Sequence, residues 1–480
     1  MLPTSKYPSR RQFLKGASLA GAATALTACS SLAKPNVTPA TPANPKKAKN
    51  LIFLVVDGMC LGTLGLAHHW SLRNRKQPLN WMQLYGRDGL TRVMQDTASA
   101  SSPVTDSAAA ASAWGCGERV NNGSVNYSTA GQARTPLLSY AKAAGKATGL
   151  VTTCTVTHAT PAGFSANVTS RGMEKEIAQQ YLSREIDVIL GGGLSKFNYK
   201  ASIVDGVAQP AVDLRPAFAA KGYQVVNDRK SLAAAKGHSK LLGLFSGGHV
   251  PYAIDRGSDP KLKKVPSLPE MFQAALESLS AAQDGFALQV EGGRVDHAGH
   301  ANDAAAILHE QLEFDDCIPI ALDFMNANPD TLLIITTDHG TGGCQLNGKG
   351  AAYVESGPAL DSINTFTNSF EWLQNRFKKT GQYSSEDFQA AMGFVPTDAQ
   401  AAQIQKAIDE KVKYLSSFMT GLVEDQLWDR TAVGWTSTNH TSECVELFAF
   451  GPGASEIPSF IENYQLFGHM TRALGLKTES

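Results

Sequence analysis

Neither sign of charge is in excess: 43 Lys and Arg face 43 Asp and Glu, for a formal net charge of zero. Without a basic field the surface has nothing to gather nucleic acid or anionic lipid by charge alone, so small-molecule partners are favoured. Cysteine is scarce. The 7 in 480 residues lie far apart, at 29, 60, 116, 154, 317, 344 and 444. That spacing matches neither a zinc finger nor a disulfide-dense scaffold, and the thiols are read as mostly free and buried.

The chain's one mildly apolar, Ala-rich leader is too short and too weakly hydrophobic to span a bilayer. Residues 1–29 read instead as an export signal. Ser9-Arg10-Arg11-Gln12-Phe13-Leu14-Lys15 resembles a twin-arginine signal, and Leu26-Thr27-Ala28-Cys29 resembles a lipobox with Cys29 as the acylated residue. The expected destination is the periplasm or cell envelope, with a lipid anchor at Cys29. Residues 30–48, rich in Pro, Ala, Ser and Thr, cannot bury a core and read as a flexible tether. Residues 49–480 then form the catalytic domain, large enough for an α/β enzyme with an insertion.

Lys49 to Asp57 is a continuous apolar run ending in an acid and Gly58, the pattern of a strand buried on both faces. The same pattern recurs at Ala147–Thr153, Ile186–Leu190, Leu241–Phe245, Gly285–Val290, Thr331–Thr337 and Val445–Phe450. Helical patterns at Leu137–Lys146, Lys175–Arg184 and Ser267–Gln283 lie between them. This alternation predicts an α/β fold: a three-layer α/β/α sandwich around a large, mostly parallel sheet, with a partly helical insertion. Ligands of such sheets collect at the carboxyl ends of strands, where Asp57, Glu291, Asp338 and His339 fall.

Ser107 opens an alanine-rich stretch after Thr105-Asp106, which places it in the first turn of a helix. Free N–H groups and the positive dipole end there favour an alkoxide and the anion it attacks, though a plain serine cap would read the same in isolation. Asp296 and His300 are four apart, share one face of a helical turn and follow Glu291, so they have metal-ligand spacing. Asp338-His339 ends the most strand-like run and suits a second metal, and His440 lies just ahead of another apolar strand. His68, His69, His238, His249, His309 and His469 carry no such pattern and are read as structural. After Cys344 the chain turns polar, with helices predicted at Asn368–Lys379, Ser385–Met392 and Asp398–Leu415. Residues 345–433 are therefore read as an insertion outside the core and above the site, shaping substrate access or a homodimer contact.

Together these motifs resemble the alkaline phosphatase family. The resemblance rests on the strand to Asp57, Thr105-Asp106-Ser107-Ala108, Ala159-Thr160-Pro161-Ala162 with Ser170-Arg171, Gly191-Gly192-Gly193, Glu291 to His300, Thr337 to Gly340 and Gly434 to His440, all in the family's order. It implies hydrolysis of phosphate monoesters through a phosphoserine at Ser107, with two zinc ions and one magnesium ion as cofactors. The implied ligands are Asp296, His300 and His440 at the first zinc; Asp57, Asp338 and His339 at the second; and Asp57, Thr160 and Glu291 at the magnesium. Arg171 is the implied fork on the phosphoryl oxygens.

Two histidines depart from the commoner bacterial pattern, which often has Asp at the place of His158 and Lys at the place of His297. Imidazole suits zinc better than magnesium, so His158 is read as holding a magnesium-bound water. His297 is read as a packing group or a water-mediated phosphate contact. Among rival readings, a sulfatase needs Cys or Ser followed by x-Pro-x-Arg, which is missing around Pro103. A phosphodiesterase would lack the joint equipment of Glu291, Thr160 and Arg171. A non-catalytic metal- or phosphate-binding envelope lipoprotein would not need Ser107 beside every ligand.

Overall fold

The computed structural model describes residues 47–204 and 207–478. The export signal, Cys29 and nearly all of the tether lie outside the described residues. Ten strands form one sheet: β1 (Asn50–Val56), β2 (Thr91–Asp96), β3 (Ala147–Thr155), β4 (Val188–Gly192), β5 (Gln224–Val226), β6 (Leu241–Leu244), β7 (Phe286–Gly292), β8 (Thr331–Thr337), β9 (Val445–Phe450) and β10 (Phe460–Glu462). Their order across the sheet is β10-β2-β9-β8-β1-β7-β3-β4-β6-β5. Every pairing is parallel except those of β9 with β8 and with β2.

The apolar runs are continuous because both sheet faces are covered. Ile52, Leu54 and Val56 of β1 enter one core cluster, whereas Leu51, Phe53 and Val55 enter the other. Side chains alternate along a strand, so a strand buried on both sides has no polar phase. Helices Leu268–Leu279, Ala304–Asp315 and Cys317–Ala327 supply residues to the first cluster, and helix Gln465–Leu474 to the second. Among the described residues, no helix is long and apolar enough to cross a membrane.

Two helices that border the site, α1 (Ser107–Cys116) and α2 (Ala159–Ser165), rest on a single side chain of the central strand. Phe53 lies 5.2 Å from the Trp114 ring and 4.9 Å from the Phe164 ring. The two helices also touch backbone to backbone. A Cβ on Gly115 would lie 1.9 Å from the Gly163 carbonyl oxygen, so only glycine permits this approach.

Strands β2, β5 and β10 were not expected from the sequence. They are short, lie at or near the sheet's edges, and β2 alternates exposed with buried positions. Strand β7 runs one turn of the pleat further than expected, so Glu291 belongs to the strand itself. The predicted helix Asp398–Leu415 ends at Asp409, next to a left-handed Lys411 (φ 56°), and a separate helix, α4 (Leu415–Leu422), follows. Residues 345–433 are not outside the core: Leu360, Phe370, Leu373, Phe377, Ile404 and Met419 join the first cluster. The two ends of this segment pair, with Gln345 opposite Gly434 and Leu346 opposite Val433.

All six described cysteines are free, and four of them, Cys60, Cys154, Cys317 and Cys344, are buried. Cys116 is half-buried and Cys444 exposed, the two exceptions to the expected burial.

Candidate active site

Three neighbouring strands end in register and bring their acids side by side. Val55 of β1 pairs with Glu291 of β7, and Val56 pairs with Thr337 of β8, so Asp57 emerges between Glu291 and Asp338. Gly58 turns the chain immediately after Asp57 at φ 78°, where a Cβ would lie 2.5 Å from the Asp296 Cα. The turn thus admits helix α3 (Arg294–His300), which carries Asp296 and His300.

His440 arrives by a route that periodicity did not disclose. Because β9 is antiparallel to β8, the segment preceding β9 lies at the edge where the parallel strands end. There His440 Nδ1 donates to the Thr105 carbonyl at 2.8 Å and His300 Nδ1 donates to the Thr438 carbonyl at 2.6 Å. Each ring's Nε2 is left to face the other at 3.0 Å, and each Nε2 lies 3.4 Å from Asp296 Oδ1. Imidazoles oriented by carbonyls with their second nitrogens converging on a carboxylate suit a zinc-class cation.

The second group is fully buried. His339 Nε2 lies 3.1 Å from Asp338 Oδ2 and 3.7 Å from Asp57 Oδ1. Asp57 Oδ1, Asp338 Oδ2 and Glu291 Oε1 are buried with no hydrogen-bond partner, which a hard or borderline cation would remedy. Thr160 Oγ1 donates to Asp57 Oδ2 at 3.3 Å, and Thr152 Oγ1 donates to Glu291 Oε2 at 2.5 Å. Burial first, then the charges of Asp338, Asp296 and Glu291, push Asp57 well above the usual carboxylate range. Burial lifts Glu291 to about 7 although Thr152 donates to it. So dense a set of carboxylates repels itself unless cations share the pocket. His158 also offers a ligand atom within 4.8 Å of one from each of Asp57 and Glu291.

Asp106, not Ser107, caps helix α1, accepting from the Ala109 N–H at 2.9 Å. Ser107 is therefore the first helical residue, and its Oγ lies 3.4 Å from His339 Nε2. Arg171 is held toward the same space: its Nη1 donates to Asp106 Oδ2 at 3.1 Å and its Nη2 to His158 Nε2 at 3.1 Å. Ser107, Arg171, Asp296, His300 and His440 line one cavity of about 730 Å³. Burial, followed by the Arg171 charge, lowers His158 to about 4, and burial likewise keeps His297 neutral well below its ordinary value.

Several lining residues escaped the sequence reading. His249 is not a remote structural histidine: its ring centroid lies 4.4 Å from that of His297 and 5.6 Å from that of His158. The pattern that exposed Asp57, an apolar strand running into glycines, also precedes His249 at Leu241–Gly248 and would have found it. Arg294 is buried, lies 3.9 Å over the Tyr252 ring, and donates to Glu371 Oε1 at 2.6 Å and to His297 Nδ1 at 3.0 Å. Glu371, Gln374, Lys413, Tyr414, Ser416 and Ser417 bring the 345–433 segment into the cavity wall. No motif announces those contacts.

Burial disfavours a charged His440, but the hydrogen bond and the charge of Asp296 outweigh it and raise the ring to about 9. A metal ion needs the neutral ring, so below pH 9 it must displace a proton. Apparent affinity for a divalent cation at these imidazoles is expected to rise about tenfold per pH unit between pH 7 and 9 from this group alone, and to flatten above. Chelator competition across pH 7 to 10 checks this; a flat profile below pH 9 contradicts it.

A serine at a helix N-terminus, surrounded by cation-ready carboxylates and imidazoles, defines a class: metal-dependent enzymes of phosphoryl- or sulfuryl-ester chemistry. The family model for alkaline phosphatase matches residues 48–476, and the chain belongs to that family. It is 32% identical to alkaline phosphatase 3 of Bacillus subtilis, with 93% of this chain and 94% of that protein covered. The crystal structure of Thermus thermophilus alkaline phosphatase is 37% identical over 94% of this chain and 97% of its own, with a TM-score of 0.80. A cold-active alkaline phosphatase from a psychrophilic Shewanella sp. is 28% identical over 88% and 99%, with a TM-score of 0.73. The protein is thus a metal-dependent phosphomonoesterase. A twin-arginine translocation signal matches residues 8–27, so the chain is exported.

Proposed function

We propose that this enzyme hydrolyses phosphate monoesters through a phosphoserine on Ser107. Ser107 Oγ, 3.4 Å from His339 Nε2 in the cavity that Arg171 lines, carries the reading. Asp296, His300 and His440 would hold one zinc ion, Asp57, Asp338 and His339 a second, and Asp57, Thr160 and Glu291 a magnesium ion. The donor types divide accordingly, nitrogen with oxygen for zinc and oxygen alone for magnesium. Bound there, the ions would supply Lewis acidity and neutralise charge on the phosphoryl group and on the oxygens that enter and leave.

Within that field Ser107 Oγ attacks phosphorus, the ester oxygen departs as the alcohol, and water then cleaves the phosphoserine to restore the hydroxyl. The first-turn N–H groups of α1 favour the anionic oxygens. Arg171, anchored by Asp106, presents a planar fork to two phosphoryl oxygens, a shape that suits a dianionic monoester better than a diester. His158 holds the far side of that fork. His297, packed between His158 and Arg294, acts on His158 and the cavity wall. Residues 345–433 are proposed to shape access to the site, since they line it.

The deciding assay sets a chromogenic phosphomonoester beside a phosphodiester and a sulfate ester on the full mature chain. The monoester should dominate; comparable or faster turnover of either rival would overturn the assignment.

We further propose that Cys29 is acylated and that residues 30–48 tether the enzyme to the membrane. Changing Arg10 and Arg11 together to Lys should trap the precursor inside the cell, and Cys29→Ala should block acylation and lipoprotein processing without touching catalysis. An intact mass of the mature wild type without lipid would refute the anchor.

A further inference from the structure

A second kind of ligand set lies against the oxygen-rich pocket. Cys154, near the end of β3, points its Sγ toward the turn after β7, where a Cβ on Gly293 would lie 2.6 Å from the sulfur and 2.8 Å from Glu291 Oε1. The thiol is completely buried and unpaired. Its Sγ lies 3.8 Å from His297 Nδ1, and one ligand atom from each of Cys154, His158 and His297 falls within 4.8 Å of the other two. His158 Nδ1 is buried without any hydrogen-bond partner, whereas its Nε2 already meets Arg171.

We propose that Cys154, His158 and His297 form an additional site for a thiophilic divalent cation of the zinc or cobalt kind, beside the proposed magnesium ligands and sharing His158 with them. The site goes beyond the proposed function and needs none of its steps.

Ligand type sets the metal class. One sulfur and two imidazole nitrogens suit zinc or cobalt and offer magnesium or calcium nothing. Tetrahedral bonds to such an ion place neighbouring ligand atoms roughly 3.5 Å apart, so the group needs only modest contraction. His249 does not join as a fourth ligand: its Nδ1 accepts the Thr155 N–H at 3.1 Å, which leaves its proton on Nε2. His158 and His297 both line the cavity. Arg294 Nη1 contends for His297 Nδ1 at 3.0 Å, but its charge is countered by Glu371. Binding exchanges the Cys154 thiol proton for the metal ion and releases that proton to solvent. One imidazole lies within reach of both groups, so an ion here competes for His158 with one on the Asp57 and Glu291 side. Excess zinc therefore weakens magnesium retention.

The test uses the full mature protein, stripped of metal and titrated with cobalt(II), with metal content measured after dialysis. Wild type should bind one equivalent more than Cys154→Ser, and that equivalent should bring a near-ultraviolet thiolate-to-cobalt absorption band. His297→Gln should lose the same equivalent. A measurement that requires no variant is zinc-edge X-ray absorption of the wild type in excess zinc, which should show a sulfur neighbour at about 2.3 Å. Equal stoichiometry with no sulfur neighbour overturns the site, as does a thiolate band that survives in Cys154→Ser. Phosphatase rates do not enter either readout, so failure here stays distinct from failure of the phosphoserine reading.

Discussion

Ser107→Ala is expected to lower phosphomonoester turnover by roughly three orders of magnitude or more, with metal content unchanged. The substitution removes one buried oxygen whose only side-chain hydrogen-bond partner among the described residues is His339 Nε2. It leaves the Asp106 cap on Ala109 intact, so helix α1 keeps its start. Alanine is also the best helix former, and four alanines already follow at 108–111. Loss of activity through unfolding is therefore not expected. Any remaining rate would be direct attack by water on a phosphoryl group still held by Arg171. Steady-state kinetics with a melting curve and metal analysis checks this. A variant within tenfold of wild type, or one that loses its metal, contradicts Ser107 as nucleophile.

Chelation has the next largest expected effect. Thorough removal of metal should depress activity by at least roughly a hundredfold, and zinc with magnesium together should restore it where either alone does not. The reason lies in the crowding of four buried acids, Asp57, Glu291, Asp296 and Asp338, three of which, Asp57, Glu291 and Asp338, bury an unpartnered oxygen. Stability should follow. An ion held at a hundred times its dissociation constant contributes about 2.7 kcal/mol to the folded state. The stripped protein carries a pH signature as well. Glu291 is raised to about 7 by burial, so its protonated form is the one the folded chain favours. An acid raised on folding costs stability as pH climbs from its ordinary value near 4.5 to about 7, so the Glu291 contribution should weaken the stripped protein over that window and level off above it. Melting temperatures with and without metal at pH 5, 6, 7 and 8 check the gap, which should widen up to pH 7. Activity that survives chelation would contradict the metal-dependent reading.

Much of the site was legible because burial on both sheet faces leaves few ways to place a charge. A run such as Leu51–Val56 forces its polar neighbour to the strand's end, and three such strands in register assemble Asp57, Glu291 and Asp338. The four-residue step from Asp296 to His300 also survived translation into helix α3. Direction was not legible: β9 has the same apolar pattern as its parallel neighbours, and only tertiary pairing makes it antiparallel and brings His440 in. Edge strands β5 and β10 are three residues each, too short to leave a pattern, and β2 beside the edge buries only two of its six residues. His249 reads as a lone histidine because two glycines and a serine separate it from the apolar strand. The polar start of residues 345–433 concealed the aromatic residues that join the core further on, and its cavity-lining Lys413 and Tyr414 follow no periodicity.

The most direct measurement of the central claim is acid quench of the full chain during turnover of a phosphomonoester labelled on phosphorus, followed by peptide mapping. The account predicts covalent label on one peptide, at Ser107, in an amount that falls when substrate is exhausted. Label on any other residue, or turnover with no covalent label under conditions that preserve phosphoserine, would contradict it.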